Sequence, residues 1–348
     1  MRIPDLYPEF VGHRRAWMYW AVNPDPATRG VIIALNGVDE FMMLVKPSGG
    51  RIDVDVEEVA GWVKRSIGAD IPVEVLGHYP WSAGQALVAE RYQAGRVMIA
   101  GDAAHLFTPT GGFGMNTGID DVANLAWKLA AVLQGWGGSR LLDTYETERK
   151  PIGYRNTGAA RKYASLMHDP VVPEEVELEG PRGDAARKAA SEISYVRKNH
   201  FVRPEAEDAV GVQLGARYDA SPIIVPDGEP PPDRFPEAYD EYVPSGVPGG
   251  RAPHVWLDDA RSQRSSLFDR LGRGFTLLSF DAAAGTAPLT RAAVARGIPL
   301  ATLDVRVPEA RGLYGRALAL IRPDQYIAWR GDRLPDDCEA LLARVTGH

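Results

Sequence analysis

With 348 residues, of which 45% are hydrophobic and 24% charged, the chain has the length and composition of a globular protein of two or three domains. Its net charge of −7 argues against a nucleic-acid partner, and no apolar run approaches the roughly 20 residues of a membrane helix, so we expect no membrane association. The N-terminus lacks the apolar core of a signal peptide and the single cysteine, Cys338, excludes an intrachain disulfide, so we expect a cytoplasmic protein.

The N-terminal part of the chain has the pattern of a small sheet with one helix. Aromatic and aliphatic residues fill 15–22, 30–36 and 40–45, and turn formers separate these runs, which predicts antiparallel strands. Apolar residues then recur at helical spacing over 56–68, and a further strand is predicted at 73–79. This sheet has no evident start because the first residues resemble the middle of a polypeptide, so we expect an N-terminal truncation.

The middle of the chain is predicted to be mostly helical. A short apolar run at 97–100 fits a buried strand with both faces covered. Helices are predicted at 119–134, 139–167 and 182–200. In the first of them, apolar side chains share one helical face: Ile119, Val122, Leu125, Ala126, Leu129 and Leu133. In the second, a charge run is interpreted as a solvated helix face: Glu146, Glu148, Arg149 and Lys150.

A change in composition precedes the last part of the chain. Prolines and glycines crowd residues 219–253, which we interpret as an ordered but irregular connection. Beyond it, strands are predicted at 254–257, 275–280, 300–305, 317–321 and 326–329. Helices are predicted at 263–271, 287–297 and 335–345. This alternation, which ends in a hairpin and a helix, indicates a small α/β domain.

The segment 96–121 carries the most specific chemistry. Its strand ends in Gly101-Asp102, and a carboxylate at that edge of a sheet can accept hydrogen bonds from a sugar or ribityl hydroxyl. Asn116-Thr117 then opens the next helix, whose free N–H groups favour a developing anion. The glycines of the intervening loop permit unusual backbone conformations and close approach to a planar ring: Gly111, Gly112 and Gly114. This order of features suits a flavin held by backbone groups.

Polar residues beside this segment have structural interpretations. Asp120 and Asp121 in the first turn of the helix suit the helix dipole. Histidine side chains can exchange protons near neutral pH, so His105 could carry a proton, but local hydrogen bonding beside the Gly-Asp turn is the favoured interpretation. We assign no catalytic residue and no metal ligand from the sequence.

The segment closely resembles the second flavin motif of the aromatic-ring hydroxylases, the single-component FAD monooxygenases typified by para-hydroxybenzoate hydroxylase and phenol hydroxylase. The matching residues are Gly101-Asp102-Ala-Ala-His105, Pro109, Gly111-Gly112-Phe-Gly114-Met115-Asn116-Thr-Gly118 and Asn124-Leu-Ala-Trp-Lys-Leu129. The resemblance implies that Asp102 binds the ribityl chain and that the loop from Pro109 to Asn116 lies along the isoalloxazine. It therefore implies FAD as the cofactor and these binding residues: Gly101, Asp102, Pro109, Gly111, Gly112, Gly114, Met115 and Asn116.

The resemblance extends over nearly the whole chain. Residues similar to strands of the family's substrate-binding sheet are 17–20 and 31–35, and those similar to its C-terminal thioredoxin-like domain are 253–257, 272–278 and 320–330. The implied fold class is α+β / α/β, a partial FAD-binding and substrate-sheet domain of a flavoprotein hydroxylase followed by a thioredoxin-like α/β domain. The predicted divisions are the substrate-binding sheet at 1–90, the C-terminal part of the FAD-binding domain with long helices at 91–205, the linker at 206–253 and the thioredoxin-like domain at 254–348.

Four residues are candidates for contact with an aromatic substrate: Trp17, Tyr19, Tyr79 and Pro109. Trp17 and Tyr19 share one face of their strand, and Met18 and Trp20 share the other. One face should meet the flavin and the substrate, the other should pack under the following helix, and the sequence leaves both assignments open. For Tyr79, core packing is the favoured interpretation.

The resemblance implies a monooxygenase in which NAD(P)H reduces FAD and one atom of O₂ is added to a phenolic or polyketide ring. The chain nevertheless lacks the Gly-x-Gly-x-x-Gly fingerprint that holds the ADP half of FAD. A non-redox binding, cyclase-like or partner protein that reuses the fold without FAD is therefore an alternative. One half of a split enzyme, completed by another N-terminal polypeptide, is a third hypothesis, and a homodimer is also left open.

Overall fold

The structure is a computed structural model that describes residues 1–12, 15–21, 23–25, 28–45, 54–80, 85–165, 172–193, 209–232, 239–257 and 265–348. The chain divides into two compact units, the first made of Met1–Ala83 and Leu166–Val202 and the second of Gly84–Ser165 and Arg203–His348. Among the described residues, no helix is both long enough and apolar enough to cross a membrane.

Short strands and helices of very different length follow one another along the described residues. The strands are β1 (Met18–Ala21), β2 (Gly30–Ala34), β3 (Phe41–Val45), β4 (Leu87–Val88), β5 (Gln93–Ala94), β6 (Val97–Met98), β7 (His105–Leu106), β8 (Trp256–Leu257), β9 (Ser265–Ser266), β10 (Phe275–Ser279), β11 (Leu300–Asp304), β12 (Leu318–Ile321) and β13 (Ile327–Gly331). The helices are α1 (Val56–Ile67), α2 (Phe113–Leu133), α3 (Thr144–Ser165), α4 (Pro181–Ile193), α5 (Val210–Leu214), α6 (Leu267–Arg270), α7 (Ala287–Ala295), α8 (Pro308–Tyr314) and α9 (Cys338–Val345).

The first unit contains an antiparallel three-stranded sheet and the helices α1 and α4. β2 is central, so that Ile32 lies opposite Tyr19 of β1 and Met43 of β3. α1 begins where the Asp55 carboxylate accepts a hydrogen bond from the Glu58 backbone N–H at 2.7 Å, an ordinary N-cap. The three strands and the helix predicted from the sequence are confirmed. Their shared core contains Ile3, Leu6, Tyr7, Ile32, Phe41, Val63 and Ile71.

The strand predicted at 73–79 is wrong. Glu74 makes an isolated antiparallel bridge with Arg2, in which the Arg2 N–H donates to the Glu74 carbonyl at 2.8 Å, and the segment forms no further ladder. Its apolar side chains do not share a buried face, since Leu76 and Tyr79 are exposed. Core packing is therefore also the wrong interpretation of Tyr79, which is 87% exposed.

The buried strand predicted at 97–100 is also wrong. β6 has two residues and pairs with β5 in a tight hairpin, in which Gly95 has a positive φ of 59°. Val97 is 66% exposed. Among the described residues no larger sheet receives this run, so its apolar side chains are not covered on both faces.

α2 is unusual because one exposed face carries large apolar side chains, while its buried face carries charged and polar residues together with Phe113, Trp127 and Ala131. It begins at Phe113, before the predicted start at residue 119. Ile119, Val122 and Leu133 lie on the exposed side, the reverse of an ordinary surface helix. The buried side carries polar residues that find partners on α3 and on the C-terminal part of the same unit: Asp121, Asn124 and Lys128.

The C-terminal sheet has the strand order β11-β10-β12-β13. β10 is parallel to β11, reached through α7, and antiparallel to β12, and α9 follows β13. All residues of β10 are buried because both faces of the sheet are covered. Phe275 and Leu277 pack with the cluster that includes residues of α7 and α9, whereas Leu278 packs with Tyr314 of α8. This architecture agrees with the thioredoxin-like α/β domain that the resemblance implies.

The described part of the Pro/Gly-rich connection packs on the C-terminal sheet. The Val225 N–H donates to the Ala328 carbonyl at 2.8 Å, and the Gly249 N–H donates to the Ile327 carbonyl at 2.9 Å. Apart from the short helix α5, these residues follow an irregular path, because proline has no N–H with which to extend a ladder. The domain limits at 90, 205 and 253 stay predictions.

Candidate functional site

The Gly-Asp turn lies directly against the first turns of α2. Gly101–Ala103 forms a short 3₁₀ turn in which Gly101 has a positive φ of 58°. A Cβ atom added to Gly118 would lie 3.1 Å from the Gly101 Cα, which is a tight contact, whereas a Cβ atom on Gly101 would lie at an ordinary 3.8 Å from the Gly118 Cα. The close approach therefore favours glycine at 118, and the positive φ favours glycine at 101. The Asp102 side chain is exposed beside the contact. A carboxylate is thereby presented to solvent at a backbone position that packing determines.

The glycine-rich loop turns sharply into α2. Pro109 is exposed, and its carbonyl accepts a hydrogen bond from the Gly112 N–H at 3.1 Å. Gly111 and Gly112 have φ angles of 90° and 66°, which side chains rarely permit. A Cβ atom on Gly111 would also collide with the Phe113 ring at 2.1 Å. Gly114 meets no such obstacle, since its nearest neighbour, Phe107, would lie at an ordinary 3.8 Å.

The N-terminus of α2 is open to an anionic or polar ligand. Gly112 is its N-cap and provides no side-chain hydrogen bond, so the first N–H groups of the helix have no capping side chain. Asn116 donates from its own amide to the Gly112 carbonyl at 2.8 Å. Met115 and Asn116 are both exposed. Asn116-Thr117 therefore belongs to the body of the helix and does not open it, as the sequence had suggested.

The buried carboxylate of Asp121 holds the Gly-Asp turn in place. Asp121 accepts hydrogen bonds from the Gly101 N–H at 3.1 Å, from His105 Nε2 at 2.6 Å and from Arg149 Nε at 2.7 Å. Burial alone would raise the pKa of Asp121, but the His105 hydrogen bond and the Arg149 charge outweigh burial and hold the pKa below its ordinary value. Asp121 is thus an anchor for the Gly-Asp turn. Because α2 begins at Phe113, Asp121 lies beyond the first turn, and its predicted role as a partner of the helix dipole there is wrong.

His105 has a local role in this arrangement. It is 1% exposed, bonds to Asp121, and its ring lies edge-on to Phe107 with 5.0 Å between centroids. The local hydrogen bonding favoured from the sequence is confirmed. A buried histidine that already serves the anchor is poorly placed to exchange protons with a substrate.

Two members of the charge run on α3, Glu148 and Arg149, are buried, so its interpretation as a solvated face is wrong for them, whereas Glu146 and Lys150 are half-buried. Arg149 is fully buried, and besides Asp121 it binds the Tyr218 hydroxyl at 2.9 Å and the Thr117 carbonyl at 3.2 Å. Sequence reasoning missed this support for the loop. A usable signal was present: Asp121, at a polar position on α2, needs a cation, and Arg149 belongs to the next long helix.

The neighbouring Glu148 joins α2, α3 and the turn between β12 and β13. Its carboxylate accepts hydrogen bonds from Lys128 at 2.7 Å, from Arg322 at 2.7 and 2.8 Å and from Ser221 at 2.6 Å. Burial would raise the pKa of Glu148, but Arg322 and Lys128 hold it far below its ordinary value. Burial lowers the pKa of Lys128 to about 8, against the opposing effect of Glu148. The C-terminal domain thereby contacts the helices that carry the loop.

The aromatic candidates lie in the first unit and Pro109 lies in the second. Trp17 is 60% exposed, whereas Tyr19 packs against the core that contains Val63 and accepts a hydrogen bond from the Ala16 N–H at 2.6 Å. The Tyr19 face of β1 is therefore the one that packs toward α1. A role for these residues and Tyr79 in substrate binding stays a prediction.

Two family models match the chain. Residues 4–160 match the FAD binding domain, and residues 245–348 match the C-terminal region of aromatic-ring hydroxylases. Together they include the Gly-Asp turn, the glycine-rich loop, both long helices and the C-terminal sheet.

Individual relatives agree with these matches. A putative polyketide hydroxylase of Streptomyces halstedii is 35% identical over 92% of this chain and 56% of its own length. The 2,4-dichlorophenol 6-monooxygenase of Delftia acidovorans is 32% identical over 97% of this chain and 63% of its own length. The chain thus spans about three fifths of the length of these two relatives.

Solved structures show the same fold. Native and K252c-bound RebC-10x superposes with a TM-score of 0.83 at 37% identity and covers 99% of this chain and 62% of its own. Aklavinone-11 hydroxylase in a ternary complex with FAD and aklavinone superposes with a TM-score of 0.71 at 29% identity, over 95% of this chain and 59% of its own. With these likenesses and both family models, the chain belongs to the FAD-dependent aromatic-ring hydroxylases.

Proposed function

We propose that this chain supplies the flavin-facing part of a monooxygenase that hydroxylates a phenolic or polyketide ring with NAD(P)H and O₂. The observation that carries the proposal is the pair of positive-φ glycines, Gly111 and Gly112, that leads into the uncapped N-terminus of α2. The neighbouring Gly-Asp turn is anchored through Asp121, so the position of that turn is set before any ligand binds.

The residues present fit the isoalloxazine and ribityl half of FAD. The exposed Asp102 carboxylate would accept hydrogen bonds from ribityl hydroxyls, and the first N–H groups of α2 would donate to the pyrimidine edge and favour negative charge there. Gly114 leaves room that a side chain would fill. When bound, FAD supplies the redox and oxygen chemistry, and the protein supplies position and electrostatics. The proposed cofactor residues are Gly101, Asp102, Pro109, Gly111, Gly112, Gly114, Met115 and Asn116.

The substrate side of the proposal rests on analogy with the relatives. Their names include phenol and polyketide hydroxylases, so a flat aromatic ring with a hydroxyl group is the proposed substrate class. Trp17, Tyr79 and Pro109 are exposed apolar surfaces of the kind that contact such a ring, and Tyr19 is half-buried in β1. The proposal assigns them to binding and assigns no residue to acid or base catalysis.

A second candidate is a fold-related protein that binds an aromatic ligand without redox chemistry. It would apply to a protein that acts without the Gly-x-Gly-x-x-Gly turn with which dinucleotide-binding proteins hold pyrophosphate, a turn that does not occur in these 348 residues.

Flavin titration distinguishes the two candidates. If only the ribityl and isoalloxazine half is held, FAD and FMN should bind the purified chain with similar affinity, measured by quenching of flavin fluorescence. Asp102→Ala should weaken both about tenfold, since one hydrogen-bonded charge is worth about 1.5–3 kcal/mol. Asp143→Ala, at another exposed aspartate of the same unit, is the matched control and should leave both affinities unchanged. No flavin binding, or binding indifferent to Asp102, would favour the non-redox candidate.

A further inference from the structure

The Arg149 guanidinium is held in one orientation by three hydrogen-bond partners. Its Nε donates to Asp121 at 2.7 Å, and its two terminal nitrogens donate to the Tyr218 hydroxyl at 2.9 Å and to the Thr117 carbonyl at 3.2 Å. Asp121 and Thr117 belong to α2, whereas Tyr218 belongs to the connection that packs on the C-terminal sheet. Because the guanidinium is planar and rigid, a shift at one of these contacts alters the other two.

The two partners on α2 join Arg149 to both parts of the candidate flavin site. Asp121 accepts a hydrogen bond from the Gly101 N–H, which fixes the Gly-Asp turn. Thr117 lies four residues after the start of α2, and its buried hydroxyl accepts a hydrogen bond from Asn156 Nδ2 at 3.0 Å. Arg149 therefore sets the position of the α2 N-terminus relative to the Gly-Asp turn. A ligand that contacts both needs this spacing to hold within about 0.5 Å.

Tyr218 is itself fixed by the C-terminal domain. Its ring stacks on Tyr326, next to β13, with 4.1 Å between centroids and 26° between ring planes. The Arg322 guanidinium lies 5.2 Å from the centroid of the Tyr218 ring. Burial raises the pKa of Tyr218 well above its ordinary value although the Arg149 charge opposes this, so the hydroxyl keeps its proton. The same hydroxyl shares a hydrogen bond with Tyr326. Both ends of the Tyr218 side chain are thus held by residues of the C-terminal domain.

We infer that Tyr218 is a positioning residue of the flavin site, through which the C-terminal domain sets the spacing between the Gly-Asp turn and α2. Tyr326 holds the Tyr218 hydroxyl, this hydroxyl holds Arg149, and Arg149 holds both parts of the site. The inference rests on the proposed function for the identity of the ligand, but the position of the turn can be measured without flavin. A purely structural role of Tyr218 predicts instead that loss of its hydroxyl weakens the whole unit evenly.

Amide hydrogen exchange in the absence of flavin is the first test. Tyr218→Phe keeps the stacked ring and removes only the oxygen that accepts from Arg149. We expect the Gly101 amide to exchange about tenfold faster relative to the Leu277 amide of the fully buried strand β10, since a hydrogen bond to a charged group is lost beside the turn. The ratio of these two exchange rates, unlike either rate alone, is insensitive to even destabilisation of the unit.

Two further variants separate positioning from general destabilisation. Tyr314→Phe is the matched control, because it removes another buried hydroxyl of the same unit, one that donates to the Pro253 carbonyl at 2.9 Å. It should leave the exchange ratio unchanged. Tyr326→Phe removes the hydrogen-bond partner of the Tyr218 hydroxyl and should raise the ratio by itself. In combination with Tyr218→Phe it should add little, since both changes interrupt one series of contacts.

Flavin titration is the second test. Tyr218→Phe should raise the Kd for FAD and FMN about threefold to tenfold and change the visible circular dichroism of the bound flavin, whereas Tyr314→Phe should change neither. The inference is overturned if the exchange ratio stays constant in Tyr218→Phe, if Tyr314→Phe changes it equally, or if Tyr218→Phe binds flavin as the unaltered chain does. A changed exchange ratio in a chain that binds no flavin would retain the positioning of the turn and reject the proposed function.

Discussion

The Arg322–Glu148 ion pair joins the turn between β12 and β13 to α3, and its removal tests whether the C-terminal domain supports the loop-bearing helices. Both side chains are fully buried, and the guanidinium makes two hydrogen bonds to the carboxylate at 2.7 and 2.8 Å. Arg322→Met keeps most of the side-chain volume. It leaves Glu148 with Lys128 as its one cation among the described residues and leaves Asp324 without its bond to the guanidinium at 2.6 Å.

The expected loss follows from the burial of the charges left behind. Removing one partner of a fully buried pair costs about 3–5 kcal/mol in the free energy of unfolding. For a folding unit of this size, about 2–4 °C accompany each kcal/mol, so the Tm should fall by roughly 6–20 °C. Arg306→Met is the matched control, because Arg306 pairs with Asp304 at the similar distance of 2.7 Å but in an exposed position. That pair should contribute about 0–1 kcal/mol.

Urea unfolding at pH 7, followed by near-ultraviolet circular dichroism, measures the free energy of unfolding of both variants. A double variant, Arg322→Met with Glu148→Gln, should lose less than the sum of the two single variants, since the two residues share one interaction. If Arg322→Met costs no more than Arg306→Met, the buried network does not hold the two regions together and the reasoning is refuted.

Three further outcomes are expected. Gly118→Ala should weaken flavin binding about tenfold or more by pushing away the Gly-Asp turn. Gly312→Ala, with open space around it in α8, should raise the free energy of unfolding by about 0.5–1 kcal/mol. An equal loss of flavin affinity in the two variants would contradict the close-approach argument. The stabilisation from Asp121, whose folded pKa is lowered, is complete above the unfolded value of about 3.9 and is lost as pH falls through the folded pKa. The destabilisation by Asp121→Asn in urea unfolding should therefore shrink below about pH 4, and a pH-independent difference would count against it. Phe41→Ala, in the core of the first unit, should cost about 3–5 kcal/mol, while Tyr79→Ala should change stability by less than about 0.5 kcal/mol in the same assay.

The candidate flavin loop was accessible from the sequence because its requirements are local. Gly111 and Gly112 adopt positive φ angles that few other residues tolerate, so their presence in the sequence already signals a special backbone. The start of α2 was placed too late, since the helix begins at Phe113 inside the glycine-rich motif and has no capping side chain to mark it. The four-stranded C-terminal sheet and the helices α7 and α9 were also predictable, because their apolar residues recur with the strand or helix period. The helix α8 was not predicted, and the helix predicted at 263–271 is the short α6, the residues before 265 lying outside the described part of the chain.

The charged residues of α3 were not predictable in the same way. Glu148 and Arg149 resemble a solvated helix face until Arg322 and Asp121 are placed beside them. These partners are 174 and 28 residues away in the sequence, and a sequence pattern of one helix contains no information about either. The prediction of a buried strand at 97–100 was wrong for a related reason, since an apolar run indicates burial only when a sheet is present to cover it.

By itself, the sequence determined the family and most of the regular elements, because each depends on residue types at short spacing, and the half of FAD assigned to the loop stays a prediction. The tertiary structure alone decided which side of α2 is buried. Its apolar side chains would ordinarily face the core, but ion pairs with Arg149 and Glu148 hold the polar side inward. Such pairs are strong only when both charges leave water together, and that depends on the packing of distant segments.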